Sequence, residues 1–158
     1  MALQATKILP YTTDEMLQSN SGTYLLICPV DHSRHIRVGA RGLLVFNVGY
    51  YLYVGSAFGP GGVRARVGRH RKRRKPKRWH IDYLTAYYKP EFALISYDEN
   101  RLEHVWASCL EQQCNLDVIK GFGNSDCRCS SHLFFSETTP DQAALASSLA
   151  GDVNVTEF

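Results

Sequence analysis

Between Gly22 and Gly55 the chain is cut into four short apolar runs, each closed by glycine, proline or Asx residues. The first is Gly22-Thr23-Tyr24-Leu25-Leu26-Ile27-Cys28, ended by a turn at Pro29 and Asp31-His32-Ser33. The second, His35 to Val38, alternates polar and apolar and stops at Gly39 and Gly42. The third is Leu43 to Phe46, broken by Asn47-Val48-Gly49. The fourth, Tyr50 to Gly55, puts Tyr51, Tyr53 and Gly55 on one face and Leu52 and Val54 on the other. Runs this short, rich in β-branched and aromatic residues, read as strands. The first half of the chain is therefore expected to form a small antiparallel sheet.

Helical patterns follow. After a glycine-rich loop, Ser56 to Gly62, residues 63 to 74 have helical composition weakened by Gly68. That helix would place Arg66, Arg69, His70 and Arg73 on one face. Pro76 ends it. Residues 79 to 88 predict a second short helix, 91 to 97 a strand, and 101 to 114 a helix capped by Asp98-Glu99-Asn100 with Leu102, Val105, Trp106, Cys109 and Leu110 as its apolar stripe. Residues 133 to 136 read as a last strand, and 140 to 149 as one more helix. The expected organisation is a poorly ordered leader over 1–20, one α+β domain over 21–137, and a tail over 138–158. A chain of 158 residues has room for one compact domain.

Charge is distributed unevenly. Ten of the 18 Lys and Arg residues fall between positions 64 and 78, with no acid among them: Arg64, Arg66, Arg69, Arg71, Lys72, Arg73, Arg74, Lys75, Lys77 and Arg78. The rest of the chain holds 8 basic residues against 15 acidic ones. A cationic block on a mildly anionic body points to a polyanionic partner, with affinity set by counterion release. DNA is the expected partner; electrostatics alone does not separate it from RNA. No apolar run reaches the ~20 residues of a membrane span, and residues 1–18 have no apolar signal-peptide core. The five cysteines are odd in number. Together these point to a cytoplasmic protein with reduced thiols and no membrane partner.

Two glycine–tyrosine signatures, Gly22-Thr23-Tyr24 and Tyr53-Val54-Gly55, stand about thirty residues apart on adjacent predicted strands. Arg66 and His70 follow on a helix, and Glu103 stands on a later one. In this order and spacing the chain resembles the GIY-YIG nuclease superfamily. The strings GTYLL, YYLYVGSAFGPGG, RARVGRH, RWHIDYL and FGNSDCRCSSHLF resemble its Uri-type endonuclease branch. The resemblance implies a central sheet of about three strands flanked by helices, a catalytic set at Tyr24, Tyr53, Arg66 and Glu103, and His70 as an accessory.

The residue types suit phosphodiester hydrolysis on their own terms. A lone carboxylate with several waters is a usual seat for Mg²⁺ or Mn²⁺, which Glu103 can offer. Arg66 can hold non-bridging phosphate oxygens through its planar fork. Tyr24 and Tyr53 can position a water, and His70 can relay its proton. The expected activity is thus divalent-metal-dependent cleavage of the DNA backbone. The alternative is a nucleic-acid-binding module without catalysis, or one that needs a protein partner for specificity. His80 can reach the site, Asp82 can cap or pair with the basic block, and the two do not share a helix face.

Cys127-x-Cys129-x-x-His132 carries zinc-ligand residue types at a spacing tighter than usual. A fourth ligand would have to come from Cys109 or Cys114. Buried cysteines in a tight turn are the plain alternative. Asn124, Ser125 or His132 lying near the substrate is a third. The loop Ser56 to Gly62 opens a helix, so its N–H groups can meet a phosphate, but it lacks the Gly-Lys-Ser/Thr of a nucleotide-binding loop.

Overall fold

The computed structural model describes residues 17–123 and 128–158. Its centre is β1 (Gly22–Val30), paired antiparallel over its full length with β4 (Gly49–Ala57) and on its other side with β5 (Phe92–Ser96). The sheet does not stop at three strands. β7 (Leu133–Ser136) adds to β4, β6 (Asp117–Val118) to β7, and β8 (Asn154–Glu157) to β5. The result is six antiparallel strands in the order β6-β7-β4-β1-β5-β8. β2 (Arg34–Arg37) and β3 (Leu43–Phe46) form a separate two-stranded hairpin. The class is α+β, but the expected sheet of about three strands is corrected to six plus a hairpin. The outer strands are short or polar: β6 has two residues and β8 reads Asn-Val-Thr-Glu. Edge strands are recruited by backbone pairing, which leaves little pattern in the side chains.

Both faces of the sheet are covered. Tyr24, Leu26 and Cys28 of β1 share one core with Tyr51 and Tyr53 of β4. That core also takes Val63 and Val67 of α1 (Gly62–His70), Ile81 and Leu84 of α2 (His80–Thr85), and Ile36 and Phe46 of the hairpin. The alternate residues Leu25, Ile27, Leu52 and Val54 face the other way. They pack on Trp106 and Leu110 of α3 (Glu103–Glu111) and Leu145 of α4 (Gln142–Ser148). The period-2 alternation of β1 and β4 thus sorts side chains between two cores.

β1 runs through Pro29, where a turn was expected. Ile27 turns its carbonyl toward the β5 side, where it accepts the Glu91 N–H, and Pro29, two residues on, faces the same way. β5 has no partner residue for Pro29, so its missing N–H leaves no gap in the ladder.

α1 ends at His70, four residues before the expected boundary. Lys75 folds back and donates to the carbonyls of Arg69, His70 and Lys72 and to the Thr85 hydroxyl. A cation on the last carbonyls of a helix closes it favourably. α3 also differs from expectation. Its N-cap is Leu102, whose N–H is taken by the Thr23 hydroxyl of β1, while Asp98 bonds Asn100 instead of the helix. Val105 is exposed, and Ala107 joins Trp106 and Leu110 inside.

Candidate active site

At one end of β1 and β4 the two helical layers meet around a pocket of about 380 Å³. β1 contributes Tyr24; β4 contributes Tyr53, Gly55 and Ser56; α1 contributes Arg66. The segment entering α2 adds Arg78, Trp79 and His80, and the start of α3 adds Arg101, Glu103 and His104. Gly123 and His132 complete the lining. Tyr24, Tyr53, Arg66 and Glu103, separated by up to 79 positions in sequence, are brought together here.

The two glycine–tyrosine signatures are coupled through the ladder. Tyr24 and Gly55 are cross-strand partners. A Cβ on Gly55 would overlap the Tyr24 hydroxyl and ring. One on Gly22 would overlap the Ser96 carbonyl of β5. Each signature needs its glycine because something packs against the backbone there.

His70 lies behind Tyr24. The Tyr24 hydroxyl and His70 Nε2 are 2.7 Å apart, and both side chains are buried. Burial, then the Lys75 charge, pulls the His70 pKa down to about 3, so the ring is neutral. It is a hydrogen-bond partner held in place, and a poor acceptor for a catalytic proton. Burial raises Tyr24 well above the ordinary tyrosine range, and the neighbouring Tyr53 adds to this. Burial also raises Tyr53, with Glu103 and Asp82 reinforcing it. Arg66 opposes both shifts without cancelling them. The two tyrosines are therefore protonated hydroxyls.

Glu103 behaves in the opposite way. Burial alone would raise its pKa, but hydrogen bonds from His132 and Ser56, with the charges of His132 and His104, hold it below the usual carboxylate range. His132 Nδ1 is 2.9 Å from Glu103 Oε1. His132 is itself pinned, its N–H donating to the Phe122 carbonyl and its carbonyl accepting from Val54. This is where the structure places the histidine of the Cys-x-Cys-x-x-His run. Cys127 and Asn124 lie outside the described residues. Cys129 Sγ sits 3.4 Å from His104 Nδ1, Cys109 bonds the Ser148 carbonyl, and Cys114 is exposed. Among the described residues no three His, Cys, Asp or Glu side chains gather as a metal-binding group.

His80 accepts the Gly123 N–H at Nδ1, which puts its ring proton on Nε2. Burial, with Arg41 nearby, lowers its pKa and favours the neutral ring. Asp82 turns away from the pocket. It accepts two bonds from Arg69, at 2.7 and 3.0 Å, and the N–H groups of Arg78 and Trp79. Burial would raise its pKa, but the Arg69 bonds and the two N–H groups hold it low. It thus both caps α2 and ties α2 to α1. Trp79 lies against two guanidiniums, Arg66 at 4.4 Å and Arg69 at 4.6 Å from its ring.

The ten cations of the basic block divide. Arg64, Lys72, Arg73, Arg74, Lys77 and Arg78 are exposed. Arg66 lines the pocket, and Arg71 lies over the Phe158 ring. Arg69 and Lys75 are turned inward, onto Asp82 and onto the end of α1. The glycine-rich loop does not offer N–H groups to a ligand through the helix it opens. The Gly62, Val63, Arg64 and Ala65 amides are taken by the carbonyls of Gly59, Asn20, Gln18 and Gly61.

A family model described as a domain of unknown function, DUF123, matches residues 23–154. The chain belongs to that family. The matched stretch runs from β1 into β8 and contains every residue that lines the pocket. No curated protein and no solved structure matches. No helix among the described residues of this DUF123 domain is long and apolar enough to cross a membrane.

Sequence reasoning did not single out Trp79, Arg101, Ser56 or His104 for the pocket. Trp79 stood beside His80 in the RWHIDYL string, and Asp82 was the first acid after the cationic block, a signal for pairing with it. Arg101 and His104 flank Glu103 by two residues or fewer, but nothing in their spacing marks the direction they face.

Proposed function

We propose that this DUF123 domain is a divalent-metal-dependent endonuclease that hydrolyses DNA phosphodiester bonds. The observation that carries the reading is the meeting of Tyr24, Tyr53, Arg66 and Glu103 in one pocket, with the carboxylate ionised and the phenols protonated. Resemblance to the GIY-YIG nucleases, in the order and spacing of the same residues, supports it.

Arg66 offers a planar fork to two non-bridging phosphoryl oxygens and stabilises the charge that grows on them. Its position against Trp79 limits its rotamers and presets that geometry. Tyr24 and Tyr53 donate hydrogen bonds into the pocket, orienting the attacking water or a phosphoryl oxygen. His70 holds Tyr24 from behind. His132 and Ser56 hold Glu103 ionised, with a side chain still 20% exposed. One anchored carboxylate open to water fits a hydrated Mg²⁺ or Mn²⁺, which keeps most of its waters. When bound there, such an ion supplies positive charge to the phosphoryl and leaving oxygens. Arg78 lines the pocket, and the exposed cations Arg64, Lys72, Arg73, Arg74 and Lys77 offer further charge to the rest of the polyanion.

The test is cleavage of labelled duplex, single-stranded, branched and flapped DNA, with RNA beside them, in Mg²⁺, Mn²⁺ or EDTA. Cleavage that requires metal and falls on the order of 10²–10³-fold in Glu103→Gln and Arg66→Ala is expected. No cleavage of any substrate, with salt-sensitive binding that survives both substitutions, would replace this reading with a binding module or a partner-dependent one.

A further inference from the structure

Arg101 and Phe58 form a pair at the pocket. Phe58 sits in the loop between β4 and α1, half-buried, and the Arg101 guanidinium lies 4.7 Å from the centre of its ring. Arg101 is exposed and lines the pocket. Among the described residues no carboxylate is within ion-pair distance of it. The nearby Asp98 is committed to Asn100. The lining draws on both layers: Arg78 leads into α2, packed on the Tyr24 face of the sheet; Arg101 leads into α3, packed on the Leu25 face.

A guanidinium stacked on an aromatic ring, with its N–H edge free, can bind a phosphate while the stacked pair offers a flat face to a base. We infer that Arg101 and Phe58 form a nucleotide subsite, gripping the polynucleotide beside the phosphate held at Arg66. This rests on the proposed nuclease reading and deepens it. The ligand is a polynucleotide strand, with one phosphate at Arg101 and one base on the Arg101–Phe58 pair in addition to the phosphate at Arg66.

The test is binding of a fluorescein-labelled oligothymidylate of roughly twenty nucleotides, long enough to cover such a site, read by anisotropy across a salt series in EDTA. Arg101→Gln is expected to weaken binding several-fold and to reduce the slope of log K against log salt by about 0.7, the value for one phosphate of a single strand. Phe58→Ala is expected to weaken binding with the slope unchanged, and the loss should vanish for an oligomer whose bases are removed at the nucleotide it stacks. Circular dichroism confirms that both variants fold, as expected for side chains on the rim. Wild-type affinity and slope in both variants would overturn the subsite even if DNA is cleaved. Weakened binding without cleavage of any substrate would leave the subsite standing and remove the nuclease reading.

Discussion

The Tyr24 hydroxyl and Nε2 of His70 meet at 2.7 Å, 46 positions apart in sequence, between two buried side chains. The other ring nitrogen, Nδ1, has no hydrogen-bond partner among the described residues. An orphaned acceptor costs less than an orphaned donor, so the lower-energy tautomer carries its proton on Nε2 and donates it to Tyr24. The Tyr24 proton is then free to point into the pocket. His70→Gln, which keeps a donor at a similar reach, should hold most of the cleavage rate. His70→Leu should lose about tenfold or more, the worth of one hydrogen bond of about 1.4 kcal/mol or above. Equal rates for Leu and Gln would show that His70 only fills space.

The same histidine makes stability depend on pH. Its ordinary value near 6.5 is lowered to about 3 by burial and by Lys75. Because the folded pKa is the lower one, the unfolded chain binds the extra proton between these two values. The contribution is complete above about 6.5 and declines as pH falls toward 3, by a few kcal/mol. Urea unfolding at a series of pH values should show this slope in the wild type and a reduced one in His70→Gln. An unchanged slope would mean that the acid sensitivity comes from other groups.

Gly55→Ala should damage both fold and site. Its Cβ would overlap the Tyr24 ring on the paired strand. Overpacking of this kind costs about 1–3 kcal/mol, and relief requires Tyr24 to leave His70. A lower melting temperature with cleavage reduced beyond the stability loss is expected. Full activity in a stable Gly55→Ala would show that the ring can move aside harmlessly.

Asp82 is buried and satisfies Arg69, Arg78 and Trp79 together. Removing one partner of a buried ion pair typically costs about 3–5 kcal/mol. The Arg69 side chain is 19% exposed, so Asp82→Ala should fall toward the lower end. Asp82→Asn, which keeps acceptor capacity, should lose less. Thermal unfolding of the two variants checks the ranking, and the reverse order would deny that Asp82 organises α1 against α2.

Lys75 and Lys72 are close in sequence and opposite in role. Lys75→Met should lower stability by about 1–2 kcal/mol, since it leaves the α1 carbonyls and the Thr85 hydroxyl without their cation. Lys72→Met should leave stability intact and weaken DNA binding, with a shallower salt dependence. Paired melting and binding-salt series separate them. A matched loss of binding in both variants would mean that Lys75 also reaches the nucleic acid.

The amino-acid sequence by itself marked β1, β4, β5 and β7 of the main sheet and both strands of the hairpin, because short apolar or alternating runs with glycine, proline and Asx breaks are a local signal. It also marked the tyrosines, Arg66 and Glu103 by type and order, and these four line one pocket. Only the tertiary structure decided how far the sheet extends, since β6 and β8 are held by backbone pairing that any side chain permits. It alone turned Arg69 and Lys75 inward from a run that reads as uniformly cationic, because their partners, Asp82 and the end of α1, become neighbours only when α1 folds onto α2. It likewise moved His132 from a run of zinc-ligand types to the side of Glu103, and brought Arg101 to the pocket from the opposite layer. A residue's type is written in the chain; the direction it faces depends on contacts made across the fold, and distance in sequence hides those contacts.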